Sequence, residues 1–127
     1  MELNKSDLID PIELSQRLIR CPSVTPIEGG ALDELQAVLE GIGFKCTRLV
    51  FSESGTPDVD NLYARIGDDG PNFCFAGHSD VVPPGLSSEW SGDPFSGMIA
   101  DGKLFGRGSS DMKSAIAAFV AAAERFI

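Results

Sequence analysis

"FCFAGHSDVVPPG", Phe73 to Gly85, is an apolar run that reaches the chain's single histidine, sets an aspartate two residues later and then breaks on two prolines. Asn72 to Gly77 reads as a strand covered on both faces, the kind that sits in the middle of a layered α/β sheet. In such sheets ligand sites gather just beyond the strand ends. His78 therefore stands in a site position, and Asp80 is placed to accept a hydrogen bond from the imidazole N–H that a ligand leaves free. Pro83 and Pro84 stop the backbone from continuing as sheet. Taken alone, His-x-Asp is a weak signal, since a structural or surface pair is the commoner use of these two residues.

Upstream, "DPIELSQRLIR" predicts a helix: Asp10 is a good N-cap, Pro11 fits the first helical position, and Leu14, Leu18 and Ile19 form one apolar stripe. "CPSVTPIEGG" is a loop, and "ALDELQAVLEGIGF" is a second helix, with Leu32, Leu35, Leu39 and Ile42 at helical spacing and Gly43 as its stop. The period then changes. "KCTRLVF" and "NLYARI" alternate like half-exposed strands on either side of a polar loop, "SESGTPDVD". Downstream of the prolines a long connection carries Trp90 and Asp93-Pro94-Phe95, residues that line an entrance or, more commonly, pin a loop to the surface. "GMIADGKLFG" predicts a hairpin turning on Asp101-Gly102. "DMKSAIAAFVAAAERFI" predicts a last helix whose broad apolar face is Ile116, Phe119, Val120, Ala123 and Phe126. Helices, then strands, then a helix around an apolar strand make the fold class α/β.

The 127 residues suit one domain with a real core. A formal charge of −9 argues against nonspecific nucleic-acid binding, which needs clustered Lys and Arg, and no apolar run approaches a membrane span. Cys21, Cys46 and Cys74 lack zinc-knot or disulfide spacing and read as reduced cytoplasmic thiols, with Cys46 and Cys74 as small buried hydrophobes. "MELNKSDLIDP" has no basic region leading into an apolar core, so it does not read as a secretion signal. The last residues, Phe126 and Ile127, are apolar, which a complete domain seldom shows, so the expectation is a chain cut from a longer one.

The second element with chemistry is "LFGRGSSDMKS", Leu104 to Ser114. Gly106 and Gly108 permit a tight backbone path past a buried object. Asp111 stands where strand meets helix, which suits a carboxylate bridging two cations and equally suits a helix cap. Arg107 is open between holding a substrate carboxylate and pairing with one of the many acidic side chains, the commoner use.

Taken together, "LIRCPSVTP", "FAGHSDVVPPG" and "LFGRGSSDMKS" resemble the dinuclear zinc amidohydrolases, the family of aminoacylases, acetylornithine deacetylase and the desuccinylases, over Asp10 to Ile127. The wording of the second motif and the "AAERFI" ending lean to the desuccinylase branch. The resemblance implies the N-terminal part of a zinc-peptidase-like three-layer α/β/α catalytic domain, incomplete at residues 1–127. The inserted lid and dimerisation domain and the rest of the catalytic domain would be absent. It implies His78 as ligand to one zinc, Asp111 as the bridge between two, and Asp80 as the catalytic partner of His78. A cis peptide at Asp111-Met112 and hydrolysis of a succinyl amide of diaminopimelate by metal-activated water are also implied. Two zinc ions per site, with Co²⁺ as substitute, a small-molecule substrate and a homodimer for the intact enzyme follow from the same likeness, whereas no nucleic-acid or membrane partner and a cytoplasmic location are expected from the charge, the lack of an apolar span and the cysteine spacing.

Ser79, Ser109-Ser110 and Ser114 depart from the family's usual Thr, Ala-Ala and Gly but remove no ligand. The family's general base and remaining ligands lie downstream of this chain. A zinc site takes about three or four protein ligands, so two make half a site, and the isolated chain is expected to be inactive. A sibling deacylase is the nearest alternative. A non-catalytic half-domain that binds a partner through an open sheet edge is the alternative of another class.

Overall fold

The structure is a computed structural model and describes residues 7–127. The reading of the N-terminus as carrying no secretion signal falls in part on residues 1–6, outside the described residues. Helix α1 spans Pro11–Ile19, with the Asp10 carboxylate accepting from the Ile12 N–H at 2.8 Å and Pro11 at its start. Helix α2 spans Ala31–Gly41 and closes as the sequence predicts. The Gly43 N–H donates to the Glu40 carbonyl and the Phe44 N–H to the Leu39 carbonyl, with Gly43 at φ 99°. That pair of bonds is the glycine stop that satisfies the helix's last carbonyls.

Strands β1 (Lys45–Phe51) and β2 (Val59–Arg65) form an antiparallel hairpin that pairs Cys46 with Ala64 and Phe51 with Val59. The second strand begins two residues earlier than its alternation suggests, because Val59 and Asp60 pair across to Phe51 and Val50. Strands β3 (Ile99–Ala100) and β4 (Lys103–Leu104) turn on Asp101 and Gly102, both at positive φ, as that dipeptide predicts. Helix α3 spans Ser114–Phe126. Leu14 and Leu18 of α1, Leu32, Leu35 and Leu39 of α2, and Ile116, Ala117 and Val120 of α3 form one buried core. The inner face of the β1–β2 hairpin, Cys46, Leu62 and Ala64, packs against it.

Three expectations are corrected. Asn72 to Gly77 belongs to no strand, and Phe73 is 86% exposed. A strand needs at least one neighbour to pair with, and among the described residues each hairpin pairs only with itself. The one ladder contact of this region is a parallel bridge between Val24 and Val81. Cys74 is exposed for the same reason, while Cys21 and Cys46 are half-buried and burial raises both thiols above their usual pKa. Finally, Phe126 is 92% exposed. Ten residues beyond Ile116 it has turned about 80° off the stripe that meets α1 and α2.

Candidate metal-ligand site

The segment that ends in His78 is held from two sides. Against α3, Phe75 stacks on Phe119 with ring centroids 4.4 Å apart, and the His78 N–H donates to the Met112 sulfur at 3.4 Å. On the other side, the loop after α1 zips onto Ser79–Val81. The Val81 N–H donates to the Ser23 carbonyl at 2.9 Å, the Thr25 N–H to the Val81 carbonyl at 3.0 Å, and the buried Ser23 hydroxyl to the Ser79 carbonyl at 2.7 Å. This assigns a structural purpose to "CPSVTP", in which the Thr25-Pro26 peptide is cis.

Asp111 arrives by a different route. The chain leaves β4, passes Gly106 and Gly108, and kinks within Ser109–Lys113, where Asp111 and Met112 leave helical angles and their peptide is cis. The buried objects that the two glycines pass are now identified. A Cβ on Gly106 would stand 2.5 Å from Ile19 Cγ2, and one on Gly108 would stand 2.7 Å from Val81 Cγ1 and 3.1 Å from Lys113 Cδ. Two residues past Asp111, Lys113 is fully buried and its ammonium donates to the Leu18 carbonyl at 2.7 Å and the Cys21 carbonyl at 2.8 Å. Burial pushes its pKa down to about 8. Nothing in the motif spacing singles out Lys113. A lysine among apolar neighbours at a helix start is the signal, but its partners are about ninety positions away and only the fold supplies them.

The two routes meet. His78 Nε2 lies 2.9 Å from Asp111 Oδ1, across 33 positions of sequence. On the other ring nitrogen, Nδ1 lies 3.0 Å from the Asp80 carbonyl oxygen and 3.5 Å from the Asp80 carboxylate. The shorter contact is thus to the backbone of Asp80, with its carboxylate just behind. A carbonyl oxygen can only accept, so Nδ1 carries a proton; Nε2 faces a second acceptor and donates to Asp111 Oδ1 when the ring is protonated, while in the neutral ring its lone pair is the one open to a cation. The Asp80 carbonyl first, and Asp111 after it, hold the His78 pKa above the usual imidazole value against partial burial. Asp111 caps no helix with its side chain. His78 and Asp80 are half-exposed and Asp111 is exposed, so the site is open.

One imidazole nitrogen and one carboxylate, converging with the second nitrogen already satisfied, are donors of the type zinc takes. They fit such an ion as part of a ligand set. Among the described residues no group of three or more His, Cys, Asp or Glu side chains is gathered to hold a metal alone. No described helix is long and apolar enough to cross a membrane.

Residues 74–127 match the family model described as Peptidase family M20/M25/M40. The chain is 64% identical to a succinyl-diaminopimelate desuccinylase of Rhodospirillum centenum, over 93% of its own length and 31% of that protein's. It is 64% identical to a protein of the same name from Parvibaculum lavamentivorans, over 91% of the chain and 29% of the relative. With one from Rhodopseudomonas palustris it shares 58% identity over 87% of the chain and 29% of the relative. Among solved structures, human carnosine dipeptidase 1 superposes with a TM-score of 0.78 at 23% identity, over 91% of the chain and 28% of that protein. That likeness supports the mixed α/β fold. The chain spans about three-tenths of the length of the curated relatives it matches.

Proposed function

We infer that this chain is the N-terminal part of a Peptidase family M20/M25/M40 enzyme, and that residues 1–127 are a portion of its catalytic domain carrying half of a metal site. The observation that carries this reading is the 2.9 Å approach of His78 Nε2 to Asp111 Oδ1. It joins the two motifs most characteristic of the resemblance. His78 would hold one ion through Nε2, and Asp111, with two carboxylate oxygens, would be shared with a second. Asp80 keeps the proton on Nδ1 through its carbonyl, and its carboxylate adds negative charge behind the ring, which makes Nε2 a better donor.

The reaction is the addition of water across the amide of N-succinyl-L,L-2,6-diaminopimelate. The C–N bond breaks, the carbonyl side leaves as succinate and the nitrogen leaves as the amine of diaminopimelate. The names of the similar proteins support this substrate. Two zinc ions, or Co²⁺ in their place, would polarise the amide carbonyl and lower the pKa of water. The remaining ligands and the general base belong to the further length that the relatives possess. A homodimer and a cytoplasmic location are part of the same proposal, and three free thiols support the second.

The test is a chimera in which residues 10–127 replace the matching segment of the Rhodospirillum centenum protein. The chimera is expected to release succinate, with activity lost in His78→Ala and Asp111→Ala. Asp80→Ala is expected to lower activity or metal affinity by about 10- to 100-fold. A His78→Ala chimera as active as its parent would overturn the assignment. The 127-residue chain by itself is expected to show no turnover.

A further inference from the structure

Arg107 is the one arginine among the described residues whose guanidinium makes no hydrogen bond. Arg17 pairs with Glu34, and Arg48 with Asp33 and Asp60. Arg20, Arg65 and Arg125 each donate to backbone carbonyls. Arg107 Nε, by contrast, is buried with no hydrogen-bond partner, in a chain of formal charge −9. The acidic partner that composition favours is not there.

What Arg107 has is a cleft. An open cavity of about 300 Å³ is lined by Trp90, Arg107, Ser109, Ser110 and Asp111, together with the stretch from Leu104 to Gly108. The Trp90 ring stands against the guanidinium, 5.4 Å from Cζ to centroid, and is fixed by its indole N–H donating to the Pro84 carbonyl at 2.9 Å. Arg107 is fixed too, its backbone N–H donating to the Pro94 carbonyl at 2.7 Å. An aromatic ring beside a cation displaces water and strengthens whatever anion the cation meets. A guanidinium with unused donors matches the two oxygens of a carboxylate.

We propose that Arg107 and Trp90 form a carboxylate-binding subsite in the cleft shared with Asp111, taking one carboxylate of a small dicarboxylate or an N-acyl amino acid. The identity of the ligand rests on the function proposed above. The site itself rests on the unpaired guanidinium, the ring against it and the cleft.

Trp90 is the only tryptophan, so its emission reports on this subsite directly. The 127-residue chain is titrated with succinate at constant ionic strength, with chloride and inorganic phosphate as parallel titrants. The expected result is a saturable change in Trp90 emission with succinate alone, at least about ten-fold weaker in Arg107→Gln and intermediate in Arg107→Lys, which keeps the charge but loses the fork. Equal responses to chloride or phosphate, or wild-type affinity in Arg107→Gln, overturn it. Should Arg107→Gln fail to fold, the side-chain Nε–H resonance of Arg107 in the wild-type chain decides, since it must shift on succinate addition. His78→Ala is expected to keep the response. Loss of the response there would place the anion on the imidazole and overturn Arg107 as its receptor. The chimera assay does not read this subsite, so failure of the metal assignment and failure of the subsite remain separate results.

Discussion

At the scale of single residues, Lys113 and Gly108 do the positioning that lets Asp111 meet His78. The Lys113 ammonium satisfies two carbonyls at the end of α1, and its stem fills the space in front of Gly108. Lys113→Met keeps most of the stem and removes both donors. Leaving those carbonyls without partners is expected to cost about 1–3 kcal/mol, measured by urea unfolding. Gly108→Ala meets two obstacles together, a φ of +88° and a Cβ 2.7 Å from Val81 Cγ1. A loss of roughly 2–4 kcal/mol is expected in the same assay, from the left-handed backbone and overpacking combined. A midpoint unchanged from wild type would show that the Gly108 turn relaxes freely. Gly-Arg-Gly was legible as a close approach. What it approaches was not, because Ile19, Val81 and Lys113 come from three separate stretches of chain.

At the scale of elements, the β1–β2 hairpin is tied to α2 through Arg48. Its guanidinium meets both carboxylate oxygens of Asp60 across the hairpin and the Asp33 carboxylate on α2 at 2.6 Å. The side-chain hydrogen bonds from Arg48 hold the Asp60 carboxyl below its usual pKa. A carboxylate whose folded pKa is depressed stabilises the fold above the unfolded value, near 4, and that contribution is lost as pH falls through the folded value. Asp60→Asn is therefore expected to be less stable than wild type at pH 6 by about 0.5–1 kcal/mol, a modest figure because the pair is partly solvated. The two urea midpoints should converge toward pH 2. A gap that persists at pH 2 would mean that the carboxylate charge is not what joins hairpin to helix. The end of α2 makes a simpler case. Gly43→Ala places a Cβ at φ 99° with only an ordinary contact to Ile66 Cδ1 at 3.5 Å, so a loss of about 1–2 kcal/mol from backbone strain alone is expected on thermal or urea unfolding.

At the scale of the whole molecule, much apolar surface faces solvent. The outer face of the hairpin carries Leu49, Phe51, Val59 and Tyr63, with Phe51 62% exposed, and Phe73 and Phe126 are exposed elsewhere. Surface of this kind drives association. Sedimentation equilibrium is expected to show a mass that rises with concentration for the 127-residue chain. Phe51→Lys combined with Tyr63→Lys should suppress that rise while leaving the urea midpoint within about 0.5 kcal/mol, because exposed positions contribute little to stability. Unaltered association in the double variant would place the contact on another face.

What the sequence by itself determined is everything settled within a few residues. Asp10 and Pro11 begin α1, Gly43 ends α2, Asp101-Gly102 turns the small hairpin, and the leucine stripes face the core. In each case the deciding hydrogen bond or side-chain spacing is local. The family resemblance carried by two motifs far apart in sequence implied His78 and Asp111 as ligands of one metal pair, and the tertiary structure sets them 2.9 Å apart. Tertiary structure alone decided that Asn72 to Gly77 is no strand, that Cys74 and Phe126 face solvent, and that Arg107 stands without an acid. It alone brought Lys113 to the end of α1. An apolar run has strand propensity wherever it occurs, but a ladder, a buried face or an ion pair exists only when distant chain arrives beside it, and composition carries no record of which neighbours arrive.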